Sequence, residues 1–116
     1  GRTADEHLKR GLVYLKATGY DEGMKDLQKA LEMEPTRIEI YRELDNVLSE
    51  RREWDAVIAM WTKLIALQPK NGQAYYERGG ASFHKGDMPN ALKDLEQACK
   101  LNYGDSCQRL QRFAKP

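Results

Sequence analysis

Apolar residues along the chain recur at steps of three and four and never alternate with polar ones, so the pattern predicts helices and no sheet. Gly23, Leu27, Ala30 and Leu31 fall on one helical face, and Val57, Trp61 and Leu64 on another. Stop signals bound these runs at Gly19, Pro35, Pro69, Gly86 and Gly104. Start signals answer them: Thr3 with Glu6, Thr36 with Glu39, and Asp105 with Gln108 each set a capping oxygen three residues ahead of Glu or Gln. The helices expected are 4–17, 21–33, 37–50, 54–67, 71–84, 88–101 and 105–114. The short loops between them make consecutive helices antiparallel.

The pattern also repeats. Tyr20-Asp21-Glu22-Gly23-Met24-Lys25-Asp26-Leu27, Trp54-Asp55-Ala56-Val57-Ile58-Ala59-Met60-Trp61 and Met88-Pro89-Asn90-Ala91-Leu92-Lys93-Asp94-Leu95 begin 34 residues apart. Pro35 and Pro69 keep the same step, and Tyr103 stands where a third proline belongs. Repeated helix pairs bury their apolar faces against neighbours, so the last pair needs a cap with a polar back. Residues 105–114 suit that role, with Cys107, Leu110, Gln111 and Phe113 on an apolar side and Arg109, Arg112 and Lys115 in water.

These residues resemble the tetratricopeptide repeat, which wants a small residue in mid first helix, an aromatic three later, a small–aromatic–small series in the second helix, then proline. Gly11, Tyr14, Gly23, Leu27, Ala30 and Pro35 supply the first copy, and Gly79, Ser82, Ala91, Leu95 and Ala98 the third. The middle copy is looser, with Asp45 where a small residue belongs. A buried carboxylate is costly without a donor, so Asp45 is expected to find one or to lie near the surface. The resemblance implies an all-α fold, a right-handed α-solenoid of three helix-turn-helix hairpins. Its units would be 4–37, 38–71 and 72–104, with a capping helix at 105–116. His7, Trp54 and Trp61 occupy places the family fills with core aromatics, so packing is their expected role.

The same resemblance implies a protein-interaction scaffold whose first helices line a groove for a peptide or partner helix. Carried over place by place, that wall includes Leu8, Leu12 and Leu15, then Arg42, Asn46 and Ser49, then Tyr76, Phe83 and His84. It reads as two apolar patches flanking a polar middle. Some family members clamp the carboxylate tail of heat-shock chaperones with basic and amide side chains. The matching places here are Leu8, Leu12, Glu43, Gln73 and Glu77, none of them basic, so no chaperone tail is expected as partner. The competing expectation is a structural spacer or self-association module, either monomeric or weakly self-associating.

Composition narrows this reading. At 116 residues the chain is long enough for one modest core. Nineteen basic and 18 acidic side chains leave no excess for nucleic acid. No apolar run nears the roughly 18–20 residues that span a bilayer. The start at Gly1-Arg2-Thr3 reads as an expression scar or a domain boundary, and the chain is expected to be one segment of a larger bacterial protein. No nucleotide, metalloprotease or nucleophile-elbow motif is present, so no enzyme and no cofactor is expected. His84 has no Ser, Cys or Asp beside it to make a catalytic pair and is expected as a solvated groove residue.

Cys99 and Cys107 straddle the turn Asn102-Tyr103-Gly104. That placement admits a bridge, whose Cα atoms lie about 4.4–6.8 Å apart, or two buried thiols acting as small hydrophobes. With two His far apart they make no zinc set. The string Ala98 to Cys107 is also similar to the cysteine-rich Sel-like repeats, a resemblance that implies a bridge. A bridge implies a periplasmic or secreted protein; free thiols would leave the cytoplasm as the expected compartment.

Overall fold

The computed structural model describes residues 1–17 and 19–114, so Lys115 of the expected cap lies outside the described residues. Seven helices follow one another: α1 (Ala4–Lys16), α2 (Tyr20–Met33), α3 (Ile38–Glu50), α4 (Trp54–Leu67), α5 (Gly72–Lys85), α6 (Met88–Lys100) and α7 (Ser106–Ala114). No strand occurs among the described residues. The chain forms two compact units, Gly1–Val47 and Leu48–Pro116, and the division falls within α3.

In the first unit α1 packs against α2. Glycine sets their spacing. A Cβ on Gly11 would stand 2.9 Å from the carbonyl oxygen of Gly23, and one on Gly23 would stand 2.6 Å from Leu15 Cγ. The backbones meet where neither residue has a side chain, and Leu15 fills the seam. Thr3 caps α1 as a full box: its hydroxyl accepts from the Glu6 N–H at 3.1 Å, and the Glu6 carboxylate accepts from the Thr3 N–H at 2.9 Å. The box expected at Thr36 does not form in that way. Arg37 takes the Glu39 carboxylate instead at 3.2 Å, while also reaching Asp5 at 2.6 Å and Glu34 at 3.3 Å. Asp5, then Glu39, raise the Arg37 guanidinium above its ordinary range.

In the second unit α5 packs against α4 and α6, and α6 against α7. Trp61, Leu64 and Ala74 are fully buried there. Asn71 and Asp87 cap α5 and α6 by accepting from the N–H groups of Ala74 and Asn90 at 3.2 and 3.3 Å. Gly86 ends α5 at φ 93°, a left-handed conformation that needs no Cβ. Asp105 precedes α7, but its carboxylate accepts from Arg109 Nε at 2.9 Å and the Tyr76 hydroxyl at 3.2 Å rather than building the expected box with Gln108.

Two further contacts recur with the repeat. Tyr41 and Tyr75 each donate a hydroxyl hydrogen bond to a carbonyl in the preceding turn, of Pro35 at 2.6 Å and of Pro69 at 2.8 Å. Arg10 grips Asp26 with two hydrogen bonds of 2.7 and 2.6 Å, and Arg78 grips Asp94 in the same register at 2.8 and 2.7 Å. Asp26 and Asp94 are buried. The corresponding places in the middle copy hold Leu44 and Met60, each buried and apolar. His7, expected as a packing residue, sits with Nδ1 2.9 Å from Asp26 and completes that cluster. Asp45 is half-buried and is not without a partner.

Candidate partner-binding site

Small residues on α5 and α6 leave room beside the third hairpin. Gly79, Gly80 and Ala91 floor a cleft of about 340 Å³, and Tyr76, Phe83, Met88, Leu92, Arg109 and Phe113 wall it. A cavity of this size with apolar and aromatic walls suits a ligand side chain or small apolar group. Phe83 and Phe113 face each other with ring centroids 6.0 Å apart and remain 46% and 47% exposed. The cleft exists because α7 has only nine residues and covers too little of the apolar face that the third hairpin presents. On α7 Leu110 is half-buried and Gln111 is exposed, so the expected cap is only partial.

Rings continue outward from the cleft. His84 meets Phe83 edge-on at 5.7 Å and stacks on Trp54 at 5.0 Å with planes 17° apart. Trp54 is therefore half-buried in an aromatic row, while Trp61 alone takes the expected core place. At the other edge Arg109 lies over the Tyr76 ring at 5.8 Å. The same guanidinium holds the Asp105 carboxyl below the usual carboxylate range. Burial raises the Tyr76 hydroxyl, which stays protonated and donates to Asp105. Aromatic and Arg side chains of this kind dominate partner-binding surfaces.

The expected groove residues divide between the two units. Tyr76, Phe83 and His84 come together at the cleft. Ser49 belongs to the same unit, is half-buried and is not without a partner. In the first unit Leu8 is only 8% exposed, and Leu15 is spent on the Gly23 seam. Leu12 is half-buried, and Arg42 and Asn46 are exposed. Met88 and Leu92 line the cleft without having been read as site residues, and Arg109, expected in water, borders it too; Met88, Ala91, Leu92 and Leu95 do recur at helical spacing in the sequence.

Cys99 and Cys107 are joined in a disulfide with Cα atoms 4.6 Å apart. The bridge ties the end of α6 to the first turn of α7, and both cysteines are half-buried. Among the described residues no three His, Cys, Asp or Glu side chains converge to hold a metal ion. No helix among them is long and apolar enough to cross a membrane. The buried carboxylates Asp26 and Asp94 are each saturated by arginine.

Helical hairpins with small residues at their seams, repeated along the chain, define a helical-repeat protein. Residues 72–113, the third hairpin with α7, match the tetratricopeptide repeat family model. The tetratricopeptide repeat-containing protein trd-1 of Caenorhabditis elegans is 24% identical over 88% of this chain and 13% of its own length. Hsp70-Hsp90 organizing protein 1 of Glycine max is 27% identical over 71% of this chain and 14% of its own. The chain thus spans about an eighth of the length of these relatives. Among solved structures, the N-terminal domain of stress-induced protein-1 from C. elegans superposes with a TM-score of 0.80 at 15% identity, covering 97% of this chain and 94% of that one. The first TPR of Spaghetti (RPAP3), bound to the HSP90 peptide SRMEEVD, gives 0.72 at 21% identity over 97% and 90%. MamA gives 0.70 at 23% identity over 85% and 54%. The fold of this chain is that of tetratricopeptide-repeat domains.

Proposed function

We propose that this chain is a protein-interaction module, a segment of a larger bacterial protein, that seats an apolar anchor of a peptide or partner helix in the cleft between α5, α6 and α7. The observation that carries the reading is the open cleft itself, walled by Phe83 and Phe113 and continued by His84 and Trp54. Apolar rings left this exposed lose free energy in water and regain it against a partner. Leu12, Arg42 and Asn46 offer further contacts in the first unit, with Leu8, Leu15 and Ser49 contributing less because they are already packed or engaged. The module works without catalysis or a cofactor.

The partner is not the carboxylate tail of a chaperone, although one structural neighbour holds such a peptide. Leu8, Leu12, Glu43, Gln73 and Glu77 stand at the clamp places, and two of these five would repel an anionic end. Micromolar binding of an Asp-terminated chaperone tail would overturn this part. The disulfide favours an oxidising compartment, periplasmic or extracellular, and its place across the α6–α7 turn supports kinship with Sel-like repeats. A second reading, self-association, is favoured by Val13 and Tyr14, adjacent on α1 and 65% and 39% exposed. Light scattering over a concentration series separates the two.

Selection of random peptides on the oxidised protein tests the proposal, followed by mapping the chosen peptides through NMR shifts. Peptides carrying an aromatic or branched aliphatic anchor should shift Gly80, Phe83 and Phe113. Failure to select any peptide, or shifts confined to other surfaces, would overturn it.

A further inference from the structure

We infer that the Cys99–Cys107 bridge is a redox latch that builds the cleft, so that partner capture depends on the oxidation state of this one pair. The inference rests on the cleft reading above and adds its regulation. The repeat supplies the argument. Tyr41 and Tyr75 pin α3 and α5 to the turns before them through the carbonyls of Pro35 and Pro69. The same register places Arg109 and Tyr103 at α7, and Arg109 turns to Asp105 instead. The pin used twice before is missing here, and a covalent bond stands in its place.

Apart from the bridge, α7 is held by the Phe113–Phe83 and Arg109–Tyr76 ring contacts, whose α7 side chains are exposed, and by hydrogen bonds near its start. Ser106 is buried and donates to the Tyr103 carbonyl at 2.6 Å, and the Tyr76 hydroxyl reaches Asp105, but both contacts lie at the first turn. Beyond it Leu110 is half-buried, and Arg109, Arg112 and Phe113 are exposed. A helix of nine residues is shorter than the ~12–15 that hold helical structure unaided in water. Yet α7 contributes Arg109 and Phe113, one whole wall of the cleft. Without α7 only the α5–α6 face remains, and a one-sided face excludes less water from an anchor.

The chemistry is thiol–disulfide exchange. A dithiol reductant gives two electrons and two protons; the S–S bond breaks, an S–H forms on Cys99 and on Cys107, and the reductant closes to its own disulfide. Both cysteines are half-buried, so a reductant can approach them.

N-acetyl-tryptophanamide, standing in for an aromatic anchor, tests this by NMR titration against oxidised protein, reduced protein and the Cys99→Ser/Cys107→Ser variant. Hydrogen exchange on each form reports whether α5, α6 and α7 stay folded. The oxidised form should bind with shifts at Gly80 and Phe83. Reduction and the double variant should each weaken that binding at least fivefold, with amide protection lost in α7 and kept in α5 and α6. Equal or tighter binding after reduction, with two free thiols confirmed by mass, would overturn the latch and leave the cleft reading standing. So would α7 protection that survives reduction. No binding even to the oxidised form would instead remove the cleft reading, and the latch with it.

Discussion

In the α1–α2 hairpin Arg10 grips a buried Asp26, and in the α5–α6 hairpin Arg78 grips a buried Asp94 in the same register. The two hairpins differ in what surrounds that shared clamp. The first closes on a Gly11–Gly23 contact so tight that neither can carry a Cβ, and adds His7 to the acid. The third meets through Gly79 and Ala91, with room beside it that a nine-residue helix does not fill. The first is packed shut, and the third leaves a cleft beside a terminal helix tied to α6 by a disulfide. Close packing and open space thus fall to different copies of one repeat.

The largest effect should come from breaking the clamp. Asp94→Ala leaves Arg78 without its buried partner and should cost about 3 kcal/mol in urea unfolding. The middle copy uses Leu44 and Met60 at these places, so Arg78→Leu combined with Asp94→Met should lose less than about 1 kcal/mol. Equal losses from the single and double variants would mean that the pair is not an interchangeable packing solution. Next is the bridge: closing a short loop restricts the unfolded chain, so Cys99→Ser with Cys107→Ser should cost about 2–3 kcal/mol.

Gly→Ala changes then sharpen the contrast between seams. At Gly11 the new methyl meets a backbone carbonyl at 2.9 Å and should cost about 2 kcal/mol. At Gly79 the nearest atoms are the Asp94 Cβ at 3.1 Å and the Ala91 oxygen at 3.2 Å. Better helix propensity offsets that milder crowding, and the net change should stay within about 1 kcal/mol. Thermal melts of the two variants decide whether the first seam is the tighter.

Acid probes the first clamp. Arg10, then His7, holds the Asp26 carboxyl down at about 2, against an ordinary value of 3.8. A depressed folded value means stability fully present above the unfolded value and lost as pH falls through the folded one. Hydrogen exchange in α1 and α2 should therefore accelerate between about pH 4 and pH 2. Asp26→Asn should remove that pH dependence along with part of the stability; an unchanged acid profile would contradict the assignment.

Much of the fold was legible in the pattern. All seven helices lie within one residue of their expected ends, because glycine, proline and short polar caps bound each run. The groups that escaped depend on contacts between helices. Arg10 and Arg78, like Asp26 and Asp94, stand two repeats apart, a signal visible once the pairing is known but silent about which face each charge takes. Trp54 and Trp61 both stand at expected core places, yet only Trp61 is buried, while Trp54 stacks on His84 of α5. The cleft could not be read from spacing at all: it depends on how much of the third hairpin a short terminal helix leaves bare.

The smallest effect on folding should carry the largest functional consequence. Phe83 is nearly half exposed, so Phe83→Glu should leave the melting temperature within a few degrees of the parent. Calorimetric titration of a selected peptide against Phe83→Glu and Leu12→Glu compares the two units directly. Phe83→Glu should raise Kd at least tenfold and Leu12→Glu by less, with helicity unchanged in both. A Kd for Phe83→Glu equal to that of the parent protein would contradict binding at the cleft.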